Sequence, residues 1–260
     1  MVYMKCKKLL FFFFLISMVS VPLSAEPIRI MMLGDSITAG ESLLPEQVDV
    51  TNTNYLNRLV NNENRLSYRC ELYKLLVDEG YSFGSEDDEL DFVGRNGQNM
   101  GLSCPHSGFD RDHEGYGGYS TGRLISIIND APSSDIVLLH IGTNDFGRYT
   151  IIESINNIRE ILDDIFNKNA NTKVFIARII KQTRAGEDWT LNLNASIANM
   201  VRDYDESENI RIVNMYADAN FTYVAGDDMN PNHSEDNDRP DVHPDRDGYS
   251  KMAIKWFTEL

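Results

Sequence analysis

Four short motifs, spread along the chain, carry the residue types that ester hydrolysis requires. Ser36 follows the apolar run of residues 28–33, and the other three motifs contain Gly118, Asn144 and His243. Hydrolysis through a serine needs a nucleophilic hydroxyl, a base that takes its proton, and donors that stabilise the tetrahedral oxyanion. Each motif alone is common, but the four in this order predict that these parts meet in one site.

Ser36 is the candidate nucleophile. It lies in the sequence Leu-Gly-Asp-Ser-Ile at residues 33–37, so that its hydroxyl comes at the carboxyl end of a predicted strand. Ligands of open α/β sheets bind at that edge. A serine after a strand also serves as a helix N-cap, and the two roles are compatible. The Gly-x-Ser-x-Gly pattern is absent around Ser36, which argues against the α/β-hydrolase fold.

Asn144 and Gly118 are the candidate oxyanion donors. Asn144 follows the predicted strand 135–141 in the sequence Gly-Thr-Asn-Asp. If the strand order is 2-1-3-4-5, this strand lies beside the first one, and Asn144 and Ser36 flank a single crevice. Gly118 ends a Gly-Tyr-Gly-Gly run, where a backbone N–H can approach a ligand without a Cβ clash. A polar turn and a flexible loop are the simpler alternatives for these two motifs.

His243 is the candidate base, because it lies just before the last predicted helix with an acid close by. Asp241 precedes it by two residues. The remaining histidines lie in loops or within a strand, at His106, His113, His140 and His233. A lone histidine is usually a surface or core residue, so the assignment depends on the other three motifs.

Strand-like runs alternate with helix-like runs along the chain. Apolar patterns predict strands over residues 28–33, 91–94, 135–141, 173–180 and 210–215, and helices over 68–80, 121–128, 151–166, 191–204 and 248–260. This alternation predicts an α/β fold, a three-layer α/β/α sandwich around a five-stranded, mostly parallel sheet. The segments 95–118 and 216–247 are expected to be irregular loops that frame the site.

Residues 1–25 have the layout of a secretory signal peptide. Three lysines precede the apolar stretch 9–21, and Ala25 ends a run of small residues suited to cleavage. The apolar stretch is short for a membrane span, although an uncleaved anchor is the alternative. The prediction is one domain over residues 26–260, exported to the periplasm or the medium, without a stable membrane anchor.

The net charge and the cysteines narrow the range of partners and compartments. A formal charge of −16 argues against nucleic acid and anionic membranes, and it is compatible with neutral polysaccharides or small esters. Cys6 leaves with the signal peptide, so Cys70 and Cys104 form an even pair, which in an exported protein predicts a disulfide. Two free thiols are the alternative. Nothing in the sequence indicates an oligomeric state.

Two clusters of acidic and histidine residues are weighed as metal sites, and neither has the spacing of a known motif. An acid-rich segment could offer calcium ligands, but it lacks the Asp-x-Asp-x-Asp-Gly pattern and is expected to be a solvated loop; it contains Asp227, Asp228, Glu235, Asp236, Asp238, Asp241, Asp245 and Asp247. A second cluster is equally weak and contains His106, Asp110, Asp112 and His113. No metal or cofactor is therefore expected.

Taken together, the motifs resemble the SGNH hydrolase superfamily, the GDSL-like esterases, over nearly all of residues 28–260. The resemblance implies a flavodoxin-like sheet and an acyl-enzyme on Ser36, with His243 as base. It also implies an oxyanion hole built from the Ser36 N–H, the Gly118 N–H and the Asn144 side chain. Residues 110–118 and the residues that follow His243 resemble the acetylxylan-esterase branch of the superfamily.

The resemblance implies an exported esterase that removes acetyl groups from a polysaccharide. A lipid-directed esterase or thioesterase of the same superfamily is the alternative among enzymes, and a non-catalytic glycan-binding module is the alternative of another class. One position departs from the family, whose acid usually stands three residues before the histidine, where this chain has Pro240. Asp241, Asp238 or a backbone carbonyl near Pro240 could support His243 instead.

Overall fold

The computed structural model describes residues 26–40, 42–43, 65–83, 88–97, 104–183, 187–204, 209–231 and 240–260. The predicted signal peptide lies outside these ranges. The strands are β1 (Ile28–Gly34), β2 (Ser42–Leu43), β3 (Arg65–Leu66), β4 (Leu90–Phe92), β5 (Glu114–Gly115), β6 (Ile136–His140), β7 (Lys173–Ala177), β8 (Ile210–Val213), β9 (Met229–Pro231) and β10 (Pro240–Pro244). The helices are α1 (Ser36–Ala39), α2 (Tyr68–Asp78), α3 (Thr121–Ile128), α4 (Ile151–Lys168), α5 (Glu187–Arg202), α6 (Met215–Asp218) and α7 (Arg246–Glu259).

The main sheet has the predicted strand order. Five strands pair in parallel in the order β4-β1-β6-β7-β8, which is 2-1-3-4-5 for the five predicted strands. The short strand β5, which the sequence did not predict, extends the β4 edge by pairing with the last residues of β1. Gly34 at the end of β1 pairs with His140 on one side and Gly115 on the other. The carboxyl ends of three strands therefore meet beside Ser36.

The sheet is covered by helices on both faces, which confirms the three-layer sandwich. Alternate residues of β1 point to opposite faces, as strand geometry requires. Ile30 and Met32 pack with α2 and α7, whereas Met31 and Leu33 pack with α3, α4 and α5. The two clusters place the core on both sides of the sheet and leave its carboxyl edge for polar groups.

The helix boundaries follow the capping residues. Thr150 begins α4 with a capping box, in which its hydroxyl accepts from the Glu153 N–H while the Glu153 carboxylate accepts from the Thr150 N–H. The last helix, α7, begins at Arg246 rather than at the predicted residue 248, because the Asp245 carboxylate accepts from the N–H groups of Asp247 and Gly248. Helix α5 likewise begins earlier than predicted.

Two predicted strands end earlier than expected. Residues 178–180 are apolar enough to suggest a longer β7, but the chain leaves the sheet after Ala177. The Arg178 carbonyl accepts a hydrogen bond from the N–H of Tyr216, in the short helix α6. Because β6 ends at His140 and β8 ends at Val213, β7 has no described strand as a partner beyond Ala177 on either side.

The segments predicted to be irregular contain some regular structure. Residues 95–118 include β5, and residues 216–247 include the antiparallel hairpin of β9 and β10. These pieces span two to five residues and carry no periodic pattern, so hydrophobic periodicity could not reveal them.

The structure joins Cys70 and Cys104 in the predicted disulfide, with 5.6 Å between their Cα atoms. The bridge links the first turn of α2 to the segment that leads towards β5. None of the helices in the described parts of the chain has the length and apolarity needed to cross a membrane.

Candidate active site

Ser36 is the first residue of α1, at the carboxyl end of β1. The N-cap is Asp35, in an extended conformation, and its carboxylate accepts from the Ile37 N–H at 3.0 Å. The suggestion that Ser36 itself caps the helix is therefore wrong, because the chain turns one residue earlier. The first N–H groups of a helix have no acceptor within the helix, so the Ser36 N–H makes no hydrogen bond inside α1.

Two glycines let the backbone close tightly around Ser36. A Cβ atom on Gly34 would lie 2.2 Å from the His140 carbonyl oxygen, and one on Gly115 would lie 2.5 Å from the Ala39 nitrogen. Neither distance is possible for a real side chain, so both positions require glycine. The resulting close approach brings β1, β5, β6 and α1 together at one point.

Gly118 lies in a turn anchored to the end of β1. The Tyr116 N–H donates to the Gly34 carbonyl at 3.0 Å, and the Tyr119 N–H donates to the Tyr116 carbonyl at 3.2 Å. Gly118 has a φ of +71°, in the left-handed region that favours glycine. A Cβ atom on Gly118 would meet no atom within 4 Å, so backbone conformation, not crowding, calls for a glycine there.

Asn144 lies in a 3₁₀ turn, Thr143–Asp145, directly beyond β6. One N–H of its amide donates to the Tyr119 carbonyl at 3.0 Å. The neighbouring Asp145 is buried and accepts from both the backbone N–H and the hydroxyl of Thr121, at 2.8 and 2.6 Å. Asn144 and the Gly118 turn are thus tied together, and the amide keeps a second N–H for another acceptor.

His243 reaches Ser36 from β10. Its Nε2 atom lies 2.8 Å from the Ser36 Oγ, and the structure leaves both side chains less than one tenth exposed. The Asn230 amide of β9 donates to the Pro244 carbonyl at 3.2 Å, and the Asp245 N–H donates to the Asp228 carbonyl at 3.2 Å. These bonds hold the end of β10 against β9 and its preceding loop.

The candidate partners of His243 lie at or near the start of β10. Asp238 and the side chain of Asp241 lie outside the described residues. The backbone of Pro240–Pro244 forms a strand whose register with β9 is irregular. Asp241, Asp238 and a carbonyl near Pro240 remain the three candidates.

The other histidine at this edge of the sheet has a different environment. His140 is fully buried at the end of β6, and burial lowers its pKa to about 4. Its ring is therefore neutral at physiological pH. Its Nε2 faces the Ile180 N–H at 3.5 Å, at the limit of a hydrogen bond. Between His140 and His243, the one bonded to Ser36 is His243.

Described members of both clusters weighed as metal sites bind other groups of the protein, whereas Glu235, Asp236, Asp238 and the Asp241 side chain lie outside the described residues. Asp110 accepts from the Phe92 N–H at 2.8 Å, and the His113 Nδ1 accepts from the Gly115 N–H at 2.9 Å. Asp228 is fully buried and forms an ion pair with Lys251 at 2.9 Å, so the expected solvated loop is wrong at this position. Within the described ranges, no group of three or more potential ligands is arranged to hold a metal ion.

A buried network beside the Gly118 turn was not predicted from the sequence. Glu114 is fully buried; it forms an ion pair with Arg95 at 3.1 Å and accepts from the Tyr116 hydroxyl at 2.5 Å. The Tyr116 ring stacks on Tyr119 with 5.0 Å between centroids, and the Arg123 guanidinium lies 4.3 Å from the Tyr119 centroid. These contacts fix both ends of the turn. The Arg95–Glu114 pair joins residues 19 apart, and a pair at that separation has no local sequence pattern.

Comparison with known proteins identifies the family to which the chain belongs. Residues 81–251 match the model of the GDSL-like lipase/acylhydrolase family. A multidomain esterase of Ruminococcus flavefaciens is 29% identical over 259 residues, which cover 91% of this chain but only 29% of that protein. The chain therefore spans less than a third of that relative's length.

Two solved structures share the fold over most of the chain. A family 3 carbohydrate esterase of Clostridium thermocellum is 26% identical with a TM-score of 0.59, covering 90% of this chain and 94% of the other. A carbohydrate esterase family 3 protein from Talaromyces cellulolyticus is 22% identical with a TM-score of 0.65, covering 90% and 96%. The second likeness supports the fold alone.

Proposed function

Because the chain belongs to the GDSL-like lipase/acylhydrolase family, we propose that it is an exported serine esterase that removes small acyl groups, acetyl above all, from polysaccharide. The observation that carries the proposal is the 2.8 Å contact between the Ser36 Oγ and the His243 Nε2. That contact places a hydroxyl against a group that can take its proton, at the edge of the sheet where ligands bind.

In the proposed reaction, His243 takes the Ser36 hydroxyl proton as the oxygen attacks the ester carbonyl carbon. The negative charge that develops on the carbonyl oxygen is stabilised by the Ser36 N–H, the Gly118 N–H and the free N–H of the Asn144 amide. The imidazolium then gives its proton to the departing sugar oxygen, which leaves an acetyl group on Ser36. The same histidine activates a water that hydrolyses this acyl-enzyme.

The imidazolium needs a partner on its other nitrogen, which fixes the ring and stabilises its charge. We propose that Asp241, Asp238 or a carbonyl near Pro240 fills this role. A short route for the proton, from Ser36 to His243 to the leaving oxygen, requires neither a metal nor an organic cofactor.

A polysaccharide substrate fits both a solved neighbour and the charge. The neighbour from Clostridium thermocellum, 26% identical, is a family 3 carbohydrate esterase, and the curated relative is a multidomain esterase. A net charge of −16 disfavours anionic polymers and membranes and leaves neutral glycans as compatible partners. The signal-like residues 1–25 support export, and an exported enzyme would meet glycans outside the cell.

The test is acetate release from a panel of acetylated glycans, including acetylated xylan, measured beside hydrolysis of medium-chain lipid esters. The proposal expects acetate release from at least one glycan, a much smaller rate on the lipid esters, and neither activity in Ser36→Ala. Preferred hydrolysis of lipid esters would favour the lipid-directed alternative. Binding of glycans without turnover of any ester, aryl acetates included, would favour a binding module.

A further inference from the structure

Three consecutive residues at the start of α2 bind the last turn of α1, the helix that carries Ser36. The Ser67 hydroxyl donates to the Thr38 carbonyl at 3.2 Å, and the Tyr68 and Thr38 hydroxyls share a hydrogen bond at 3.1 Å. The Arg69 guanidinium donates to the Thr38 carbonyl at 3.0 Å and to the Ala39 carbonyl at 3.3 Å. One short segment thus holds the far end of the Ser36 helix.

Arg69 is unusual because it is a buried cation bonded to carbonyl oxygens. Its side chain is 1% exposed, and its third hydrogen bond goes to the Arg111 carbonyl at 2.9 Å. Among the described residues, no carboxylate lies within ion-pair distance of it. Burial lowers the pKa of Arg69 to about 10, so the guanidinium remains charged at neutral pH.

Such a cation is costly to bury, and an apolar residue of similar size often stabilises a fold more. A helix of four residues, in turn, is too short to be stable by itself. Its terminal carbonyls need donors from elsewhere, and Arg69 supplies two of them. Its third bond reaches the segment that leads from Arg111 into β5, ahead of the Gly118 turn.

We propose that Arg69 is a positioning residue that fixes α1 so that the Ser36 hydroxyl stays aligned with His243. This inference rests on the proposed role of Ser36 as nucleophile. The guanidinium donates to the carbonyls of Thr38 and Ala39, so it acts on Ser36 through the backbone of α1. Nothing in the sequence around Arg69 distinguishes it from an ordinary helix arginine.

The experiment measures covalent labelling of Ser36 by a fluorophosphonate, which reports nucleophile alignment without a natural substrate. The variants are Arg69→Met, which removes the donors at similar size, and Arg69→Lys, which keeps the charge but cannot span three carbonyls. Arg159→Met is the matched control, since Arg159 pairs with Asp203 on the helical layer away from α1. Both the labelling rate constant and the final labelled fraction are recorded, and thermal unfolding reports stability.

The proposal expects the rate constant of Arg69→Met to fall by roughly 10- to 100-fold, since a misplacement of about 1 Å can cost that much. The final labelled fraction should remain complete, and kcat on an aryl acetate should fall with little change in KM. Arg69→Lys should recover part of the loss, and Arg159→Met should label like the wild type.

A role confined to stability would lower the labelled fraction or the unfolding temperature and leave the rate constant unchanged, and that result would overturn the proposal. If Arg69→Met does not fold, Arg69→Lys decides by the same criterion, with a loss of several-fold expected. Failure of the wild type to label at Ser36 would instead refute the proposed function, whatever the arginine variants do.

Discussion

The two sides of the candidate site are built in different ways. The serine side contains Ser36, Gly118 and Asn144. It is formed by β1, β5 and β6 and by the turns that directly follow these strands, and hydrogen bonds join the strands and turns to one another. The histidine side is formed by β9 and β10, and the His243 Nε2 of β10 lies 2.8 Å from the Ser36 Oγ of the serine side. The candidate oxyanion donors are therefore fixed by the main sheet, whereas the candidate base lies on a strand outside that sheet whose register is irregular.

Because the two sides act together, we expect the loss of either reacting group to abolish most of the catalytic activity. Ser36→Ala and His243→Ala should each lower kcat by about 10⁴-fold or more, because removing a triad member leaves only oxyanion stabilisation and binding. The double variant should be no slower than the worse single variant, since the two groups act as a unit. The measurement is kcat on an aryl acetate, with circular dichroism as the control for folding.

If the double variant were slower than the single variants by the product of their effects, the two sides would contribute independently. The contact between Ser36 and His243 would then not be the catalytic one.

On the serine side alone, the loss of one oxyanion donor should have a smaller effect. Asn144→Ala should lower kcat by roughly 10²- to 10³-fold with little change in KM, because the donor acts mainly in the transition state. Asn209→Ala, at a surface position where the amide bonds the Ala170 carbonyl, is the matched control. An increase in KM alone would make Asn144 a ground-state binding residue.

The serine side was predictable from sequence and the histidine side only partly. The motifs of Ser36 and Asn144 follow apolar strand patterns, and the rule for parallel sheets places neighbouring strand ends together. The family and the fold class predicted on this basis are confirmed. His243 was singled out by its place before the last helix, but its hairpin has no periodic pattern.

Long-range contacts account for the rest of what the sequence could not reveal. The buried ion pair of Glu114 and Arg95 joins residues 19 apart, and the bonds of Arg69 to α1 span about 30 positions. Nothing in either residue's neighbours specifies such a partner. The burial of Asp228 is unpredictable for the same reason, because its cation, Lys251, comes 23 positions later.

The supporting acid is the part of the histidine side that mutation can sharpen. Asp241→Asn and Asp238→Asn should each lower kcat by about tenfold or less, because we expect a carbonyl near Pro240 to accept the His243 Nδ1 hydrogen bond. A loss of about 10⁴-fold in a folded Asp241→Asn protein would instead identify Asp241 as the acid of a full triad. The same loss in Asp238→Asn would identify Asp238.

The smallest predicted effect concerns stability on the serine side, where His140 is buried. Its folded-state pKa of about 4 lies below the ordinary value of 6.5, so folding favours the neutral ring. The stability it provides is complete above about pH 6.5 and is lost as the pH falls towards 4. Between pH 7 and pH 5, the free energy of unfolding of the wild type should fall by about 2 kcal/mol more than that of His140→Gln. Equal losses in chemical denaturation would show that His140 does not titrate on unfolding.

The central claim, that the serine side supplies a nucleophile activated by the histidine side, is tested most directly by trapping the acyl-enzyme. The protein is mixed with an excess of aryl acetate, quenched in acid within its first turnovers, and analysed by mass spectrometry of its peptides. The account predicts one added acetyl group on the peptide that contains Ser36, and none in Ser36→Ala. Two results would contradict the account. One is efficient turnover with no acetyl group on Ser36 under conditions in which deacylation is slow. The other is an acetyl group on a different residue that turnover requires.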